Sequence, residues 1–239
     1  MSGAAVELQD VSFAYRDAAG VLDMHFDLSV PAGTVVAIIG PSGAGKSTLL
    51  SLIAGFDRPS GGRIVVGGVD VTLDDPANRP VSVLFQDHNL FAHLDVWTNV
   101  ALGLSPRLRL NAEQKAQIAS ALERVGLADL QARLPGEISG GERQRAALAR
   151  VLVRKRPVLL LDEPFAALGP ALKAEMLGLI ADLNRDTGVT ILMVTHTPED
   201  AKAIADLTAF IDTGRVAALR PTAQLFAARD IQALTAYLG

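Results

Sequence analysis

Thr34-Val35-Val36-Ala37-Ile38-Ile39-Gly40-Pro41-Ser42-Gly43-Ala44-Gly45-Lys46-Ser47-Thr48 is the stretch on which the fold turns. The run from Thr34 to Ile39 shows no polar alternation, as expected of a strand buried on both faces of a helix-covered parallel sheet. From Lys46 to Ala54 the apolar residues recur at helical intervals. The intervening Gly40 to Ser47 has the spacing G-x-x-x-x-G-K-S, and strand before with helix after is the context this motif requires. Its glycines let main-chain N–H groups converge on phosphate oxygens, and the helix dipole adds positive potential. Lys46 then reaches the β- and γ-phosphates and Ser47 ligates magnesium. Residues Gly40 to Thr48 are therefore expected to bind a nucleotide.

Outward from this unit the parallel-strand signature returns in Val158 to Leu161 and Val189 to Thr195, with a helix between them from about Pro170 to Arg185. Arg63 to Val66 and Val81 to Phe85 are further short strands bounded by glycine and proline. Val6 to Phe13 and Met24 to Val30 alternate near period two about a turn at Asp17 to Gly20, which predicts an antiparallel pair. Asp87 to Arg156 turns helical, with apolar periodicity over Ala112 to Val125 and Glu142 to Arg154. Leu207 to Ile211 and Arg215 to Leu219 flank Asp212-Thr213-Gly214 as a hairpin, and two short helical patterns follow. The expected fold is α/β, a P-loop NTPase with a mostly parallel, doubly wound central sheet, an N-terminal antiparallel β subdomain and an inserted helical subdomain. Residues 1–86 and 157–239 are assigned to the nucleotide-binding core with its β subdomain, and 87–156 to the helical insertion.

Composition narrows the chemistry. At 239 residues, 49% hydrophobic and 20% charged, the chain is expected to bury about 70% of its unfolded surface. Its formal net charge of −4 argues against sequence-independent binding to nucleic acid. The lack of cysteine excludes disulfides, thiolate metal sites and a cysteine nucleophile. The four histidines, His25, His88, His93 and His196, show no i, i+4 pairing, so no metal is assigned to them. No apolar run reaches the ~18 residues of a spanning helix, and the N-terminus lacks the pattern of a secretory signal. An intracellular protein is expected, with any membrane contact supplied by another subunit.

Leu159-Leu160-Leu161-Asp162-Glu163 places two adjacent carboxylates where an apolar strand ends, the edge at which open α/β sheets bind ligands. Asp162 can hold magnesium through water, and Glu163 is placed to polarise a water in line with a γ-phosphate. The plainer alternative is an acidic pair favouring the dipole of the next helix. Ser139-Gly140-Gly141-Glu142 opens the helix running to Arg154, a second N-terminus with free N–H groups and a serine hydroxyl. An ordinary N-cap reads equally well there.

Taken in order, the phosphate loop, Gln86 after a strand, Ser139-Gly140-Gly141 before a helix, Leu161-Asp162-Glu163-Pro164 and His196 after a strand resemble the ATP-binding subunits of ABC transporters. The likeness covers about Val6 to Val216. It implies a head-to-tail homodimer sandwiching two ATP molecules, each between one copy's phosphate loop and the other's Ser139, Gly140 and Gly141. It further implies that Gln86 contacts magnesium with Ser47 and Asp162 and links the site to the membrane subunits. By the same resemblance His196 holds the γ-phosphate near the water that Glu163 activates, and Tyr15 stacks on adenine, with Phe13 the nearest competitor. No Asn-Lys-x-Asp guanine-reading string is present, so ATP is expected over GTP.

The segment Gln86 to Val100 is similar to that of bacterial importers, and Ser105 to Leu110 with Pro170 to Leu177 most resembles the thiamine-importing members. The implied partners are an integral membrane permease and, through it, a periplasmic or extracellular solute-binding protein, with no nucleic acid. The implied location is peripheral, at the cytoplasmic face of the inner membrane. Two departures bear on rate. Ala166-Ala167-Leu168-Gly169 stands where the family commonly has Ser-Ala-Leu-Asp, which loses a carboxylate at the dimer seam. Glu142 replaces a glutamine, adding negative charge near phosphate unless it turns away or pairs with Arg143 or Arg145. A soluble ATP-gated clamp and a weakly hydrolysing regulatory subunit remain open alternatives.

Overall fold

The computed structural model describes residues 3–17, 20–85, 90–166 and 168–239. Gln86, His88, Ala167 and the centre of the expected turn at Asp17–Gly20 lie outside the described residues. Strands β1 (Val6–Asp17) and β2 (Gly20–Val30) pair antiparallel, with a register shift between Leu8 and Val11 where Asp10 adopts φ 51°. This pair is longer than the sequence pattern indicated, because the alternation fades after Phe13 while the backbone pairing continues to Asp17↔Gly20. Next come β3 (Val35–Ile39), α1 (Lys46–Ala54), β4 (Gly61–Val66), β5 (Val69–Asp70) and β6 (Val81–Leu84). Helices α2 (Val96–Ala101), α3 (Ala112–Arg124) and α4 (Gly140–Leu152) follow, then β7 (Val158–Asp162), α5 (Pro170–Thr187) and β8 (Thr190–Val194). The chain ends through α6 (Pro198–Ile204), β9 (Leu207–Asp212), β10 (Arg215–Pro221), α7 (Thr222–Ala227) and α8 (Gln232–Leu238). Helix α4 begins two residues before the apolar pattern because Ser139, not an apolar residue, sets its start.

Among the described residues ten strands join in one sheet of order β5-β4-β1-β2-β10-β9-β3-β8-β7-β6. From β9 to β6 neighbouring strands run parallel. A single parallel bridge, Arg215↔His25, ties β10 to β2 and so connects the antiparallel N-terminal strands to the rest. Every residue of β3 and β8 is buried. Alternate residues of β3 serve different cores: Val36 and Ile38 pack with β1, β2 and α1, whereas Ala37 and Ile39 pack with Phe210, Leu225 and Leu234. That two-sided burial explains the unbroken apolar run. Helix α4 bridges two clusters: Ala147, Leu148 and Val151 face the sheet and α5, and Ala146 and Ala149 face α2 and α3.

Helix α1 is closed at its C-terminal end by Gly55, at φ 84°, and by a fully buried arginine. The Arg79 guanidinium donates to Leu52 O at 2.6 Å and Ile53 O at 3.0 Å, and also to Asp74 O and Thr72 O, each at 3.0 Å. Carbonyls at a helix end lack intrahelical partners and carry partial negative charge, which a cation satisfies.

Candidate nucleotide site

In the sheet β8 lies between β3 and β7, so three loops that are far apart in sequence leave the same edge side by side. Ile38 pairs with Val194, and Val194 with Asp162. The strand ends therefore deliver Gly40, then Thr195 and His196, then Asp162 and Glu163 to one place. Gln86, which follows β6, lies outside the described residues.

The loop from Gly40 to Gly45 is shaped by positions that exclude side chains. Gly40 has φ 150°, and a Cβ there would stand 2.1 Å from the Ile211 carbonyl oxygen. Gly45, at φ 100°, is the residue before α1 and gives that helix no side-chain cap. Among the described residues, the main-chain N–H groups of Gly45, Lys46, Ser47 and Thr48 donate to no protein acceptor. A helix N-terminus with four open donors and no competing cap fits a phosphate. Lys46 is only 8% exposed, and its Nζ folds back to donate to Gly40 O at 2.9 Å and Pro41 O at 2.7 Å. Burial holds its ammonium below the ordinary lysine range, against the opposing pull of Glu163 and Asp162. Pro41, Ser42 and Gly43 are exposed or face open space, and Ala44 N–H donates to Pro41 O at 3.2 Å.

Ser47 Oγ donates to Asp162 Oδ1 at 3.0 Å. Burial raises the Asp162 carboxyl above the usual range; the Ser47 hydrogen bond opposes this, Glu163 adds to it and Lys46 lowers it. A hydroxyl and a desolvated carboxylate side by side are hard oxygen donors suited to magnesium. Among the described residues no cluster of three His, Cys, Asp or Glu side chains could close a metal shell. Magnesium at this point would need further oxygen ligands beyond Ser47 and Asp162, such as those of phosphate and water.

Glu163 occupies an unusual backbone position, φ 44°, held by its N–H donating to Val194 O at 3.2 Å and its carbonyl accepting from Ala166 N–H at 3.3 Å. Non-glycine residues pay about 1–2 kcal/mol in this region, and such strain gathers at functional sites. The result aims Oε2 at His196 Nδ1, 3.3 Å away, with the histidine 55% exposed and the glutamate 27%. Two groups that sequence reasoning passed over support this pair. Tyr237 on α8 donates from its hydroxyl to His196 O at 3.4 Å. Lys173 on α5 and Asp200 on α6 form an ion pair of 2.8 Å beneath the His196 turn.

The segment Ser139–Gly141 is a capping box. Ser139 Oγ accepts from Glu142 N–H at 3.3 Å, and Ser139 N–H donates to Glu142 Oε2 at 2.6 Å. Glu142 thus turns back on the helix end, and those hydrogen bonds hold its carboxyl below the usual range. Neither neighbouring arginine takes it: Arg143 donates to Ile138 O at 2.8 Å, and Arg145 pairs with Glu175 at 3.3 Å. A Cβ at Gly141 would meet the tip of the Leu172 side chain of α5 at 2.2 Å, so the two helices pack closely at that glycine. Gly140 is exposed. Among the described residues no hydrogen bond or ion pair joins Ser139–Gly141 to the phosphate loop of the same chain. Tyr15 is half exposed on β1, while Phe13 packs against the main core. Gly169 precedes α5 with no side-chain cap and open space around it.

Against known proteins, the family model described as ABC transporter matches residues 24–166. The thiamine import ATP-binding protein ThiQ of Brucella suis biovar 1 (strain 1330) is 55% identical over 238 residues, covering 100% of this chain and 97% of that relative. ThiQ of Rhizobium meliloti (strain 1021) is 50% identical over 239 residues, with 100% and 99% covered. Among solved structures, the dimeric structure of MJ0796, a bacterial ABC transporter cassette, superposes with TM-score 0.80 at 28% identity, covering 91% of this chain and 98% of that one. A dimeric post-hydrolysis state of the same cassette, bound to ADP and Pi, gives 0.78 at 27% identity with the same coverage.

Proposed function

This chain belongs to the ABC transporter family, and from that premise we propose that it is the ATP-binding and ATP-hydrolysing subunit of a bacterial importer whose cargo is thiamine. The observation that carries the enzymatic part is the meeting, at the carboxyl ends of β3, β8 and β7, of an uncapped helix N-terminus, the Ser47–Asp162 pair and the Glu163–His196 pair. Thiamine as cargo is supported by relatives matched along the whole chain and named for its import. Those side chains touch ATP, not cargo, so cargo choice rests with the permease.

The open N–H groups of Gly45 to Thr48 bind phosphate oxygens, and Lys46 exchanges its contacts with Gly40 O and Pro41 O for the β- and γ-phosphates. Gly40, Pro41, Ser42, Gly43 and Ala44 supply the curve of the loop. Ser47, Asp162 and Gln86 would hold magnesium, which neutralises phosphate charge and orients the γ-phosphoryl group when bound. Glu163 accepts the proton of the attacking water, and His196 keeps that carboxylate and the γ-phosphate in line. Tyr15 offers its exposed ring to adenine. Ser139, Gly140 and Gly141, with no partner across the chain's own site among the described residues, complete the site of a second copy in a homodimer. Among the described residues no helix is long and apolar enough to cross a membrane. The chain would therefore reach the cytoplasmic face of the inner membrane through a permease, which a solute-binding protein loads from outside.

Reconstitution of the full chain with its permease tests this reading through phosphate release and thiamine uptake. Lys46→Ala is expected to weaken ATP binding at least about tenfold, a loss of ~1.4 kcal/mol. Glu163→Gln should retain binding, lose about 100-fold or more in turnover and accumulate as a closed dimer. Unchanged turnover in Glu163→Gln would remove that residue as the base. Absence of hydrolysis in the unsubstituted complex would favour a regulatory subunit.

A further inference from the structure

His196 is exposed and sits on a short turn between β8 and α6, yet its imidazole must stay within reach of Glu163. The residues on either side of it are both tied to one ion pair, its carboxylate buried and its ammonium partly exposed. Asp200, 6% exposed, accepts from Thr195 Oγ1 at 2.7 Å and pairs with Lys173 Nζ at 2.8 Å. Lys173 Nζ also donates to Thr197 Oγ1 at 3.1 Å, and Thr197 N–H donates to Thr195 Oγ1 at 3.1 Å. The Asp200 N–H closes the ring by donating to Thr197 O at 3.1 Å.

Helix stability does not account for this arrangement. Asp200 lies in the first turn of α6, where negative charge is favoured. Lys173, whose N–H donates to Gly169 O, lies in the first turn of α5, where a cation opposes the helix dipole. Charge taken out of water is costly unless well paired, so a lysine at this end of α5 must draw its support from Asp200. The segment that leaves Glu163 runs directly into α5, and the turn bearing His196 runs directly into α6. The pair thus joins the two elements that carry Glu163 and His196.

We propose that Lys173 and Asp200 are positioning residues for ATP hydrolysis, an ion-paired strut that fixes the Thr195–Thr197 turn so that His196 stays beside Glu163. The inference rests on the site reading given above. Neither residue reaches the phosphate loop, so the strut acts on the chemical step and not on nucleotide binding.

The test uses the full chain with saturating ATP and compares Asp200→Asn, Lys173→Met, Lys173→Arg and the Lys173→Met/Asp200→Asn double variant. Misplacement of a reacting group by about 1 Å costs on the order of 100-fold, so Asp200→Asn and Lys173→Met are expected to lower kcat by about 10- to 100-fold. Their KM for ATP should stay within about twofold, because the binding loop is untouched. Lys173→Arg should keep most of the turnover, and the double variant should be no slower than the slower single one. In NMR spectra the His196 Cε1–H signal should shift or broaden in the impaired variants while that of His93 does not. Wild-type kcat in Asp200→Asn and Lys173→Met, or a rise in KM equal to the fall in kcat/KM with an unchanged His196 signal, would overturn the proposal. His196→Ala separates the two levels. If it leaves kcat unchanged, the site reading itself fails; if it abolishes turnover while the strut variants do not, only the strut fails.

Discussion

Asp162 is held in a place that costs the protein stability when nothing is bound. Burial is the largest influence on its carboxyl, the Glu163 charge adds to it, and neither the Ser47 hydroxyl nor Lys46 brings the group back to its usual range. The native state therefore holds a proton on Asp162 more tightly than the unfolded chain does. Stability falls as pH rises from the ordinary carboxylate range, about 4, up through the raised value, and the deficit persists at neutral pH. Asp162→Asn keeps an oxygen to accept from Ser47 and removes the charge. Without nucleotide and magnesium it should raise stability by about 1 kcal/mol, or ~2–4 °C in Tm for a chain of this size. The further rise that magnesium with ATP gives the natural chain should be largely lost. Thermal unfolding between pH 5 and 8, with and without both ligands, checks this; a Tm at or below the natural one throughout the ligand-free series would refute it. The Asp162-Glu163 pair was legible because two carboxylates ending an apolar run are rare. Lys173 and Asp200 were not, because single charges near helix starts look in sequence like a solvated face.

Among the elements, α1 shows both what periodicity reveals and what it hides. Its bounds, Lys46 to Ala54, could be read directly, since a glycine loop opens it and Gly55 closes it. Nothing near it in sequence discloses that Arg79 supplies the missing partners of its last carbonyls, because the contact is made from 26 and 27 residues away. Helix α6 was missed for another reason: after Pro198 its only apolar residues are Ala201, Ala203 and Ile204, which set no clear period. Arg79→Met should leave Leu52 O and Ile53 O without that donor and cost about 2–4 kcal/mol. Gly55→Ala would force a Cβ to within 2.5 Å of Arg79 Nε at a backbone conformation that favours glycine. Since both changes act on one contact, the double variant should lose less than the sum of the singles. Denaturant unfolding of the three chains measures this, and strict additivity would show that Gly55 and Arg79 act independently.

For the molecule as a whole, the parallel sheet was foreseeable from its apolar strands, whereas the strand order that sets β8 between β3 and β7 was not, because pairing partners leave no local mark. The same holds for the C-terminal end of the chain. Helix α8 covers the sheet face formed by Ala37, Ile39 and Phe210, with the Tyr237 ring 5.8 Å from that of Phe210. Its hydroxyl then reaches 3.4 Å to the carbonyl of His196, 41 residues earlier. The Tyr237 side chain thereby touches the His196 turn, one of the three loops that build the site. Tyr237→Phe separates the two roles, since the ring remains packed and only the hydroxyl is lost. A neutral hydrogen bond contributes about 0.5–1.5 kcal/mol, so kcat should fall by roughly 2- to 10-fold while overall stability changes by less than about 1 kcal/mol. Tyr237→Ala should add a loss of stability from the uncovered Phe210, of about 2 kcal/mol or more. Steady-state turnover beside thermal unfolding distinguishes these effects: equal kcat in Tyr237→Phe and the natural chain would reduce α8 to a cover for the sheet, and a fall in kcat at unchanged Tm would make the chain's end a part of its catalytic frame.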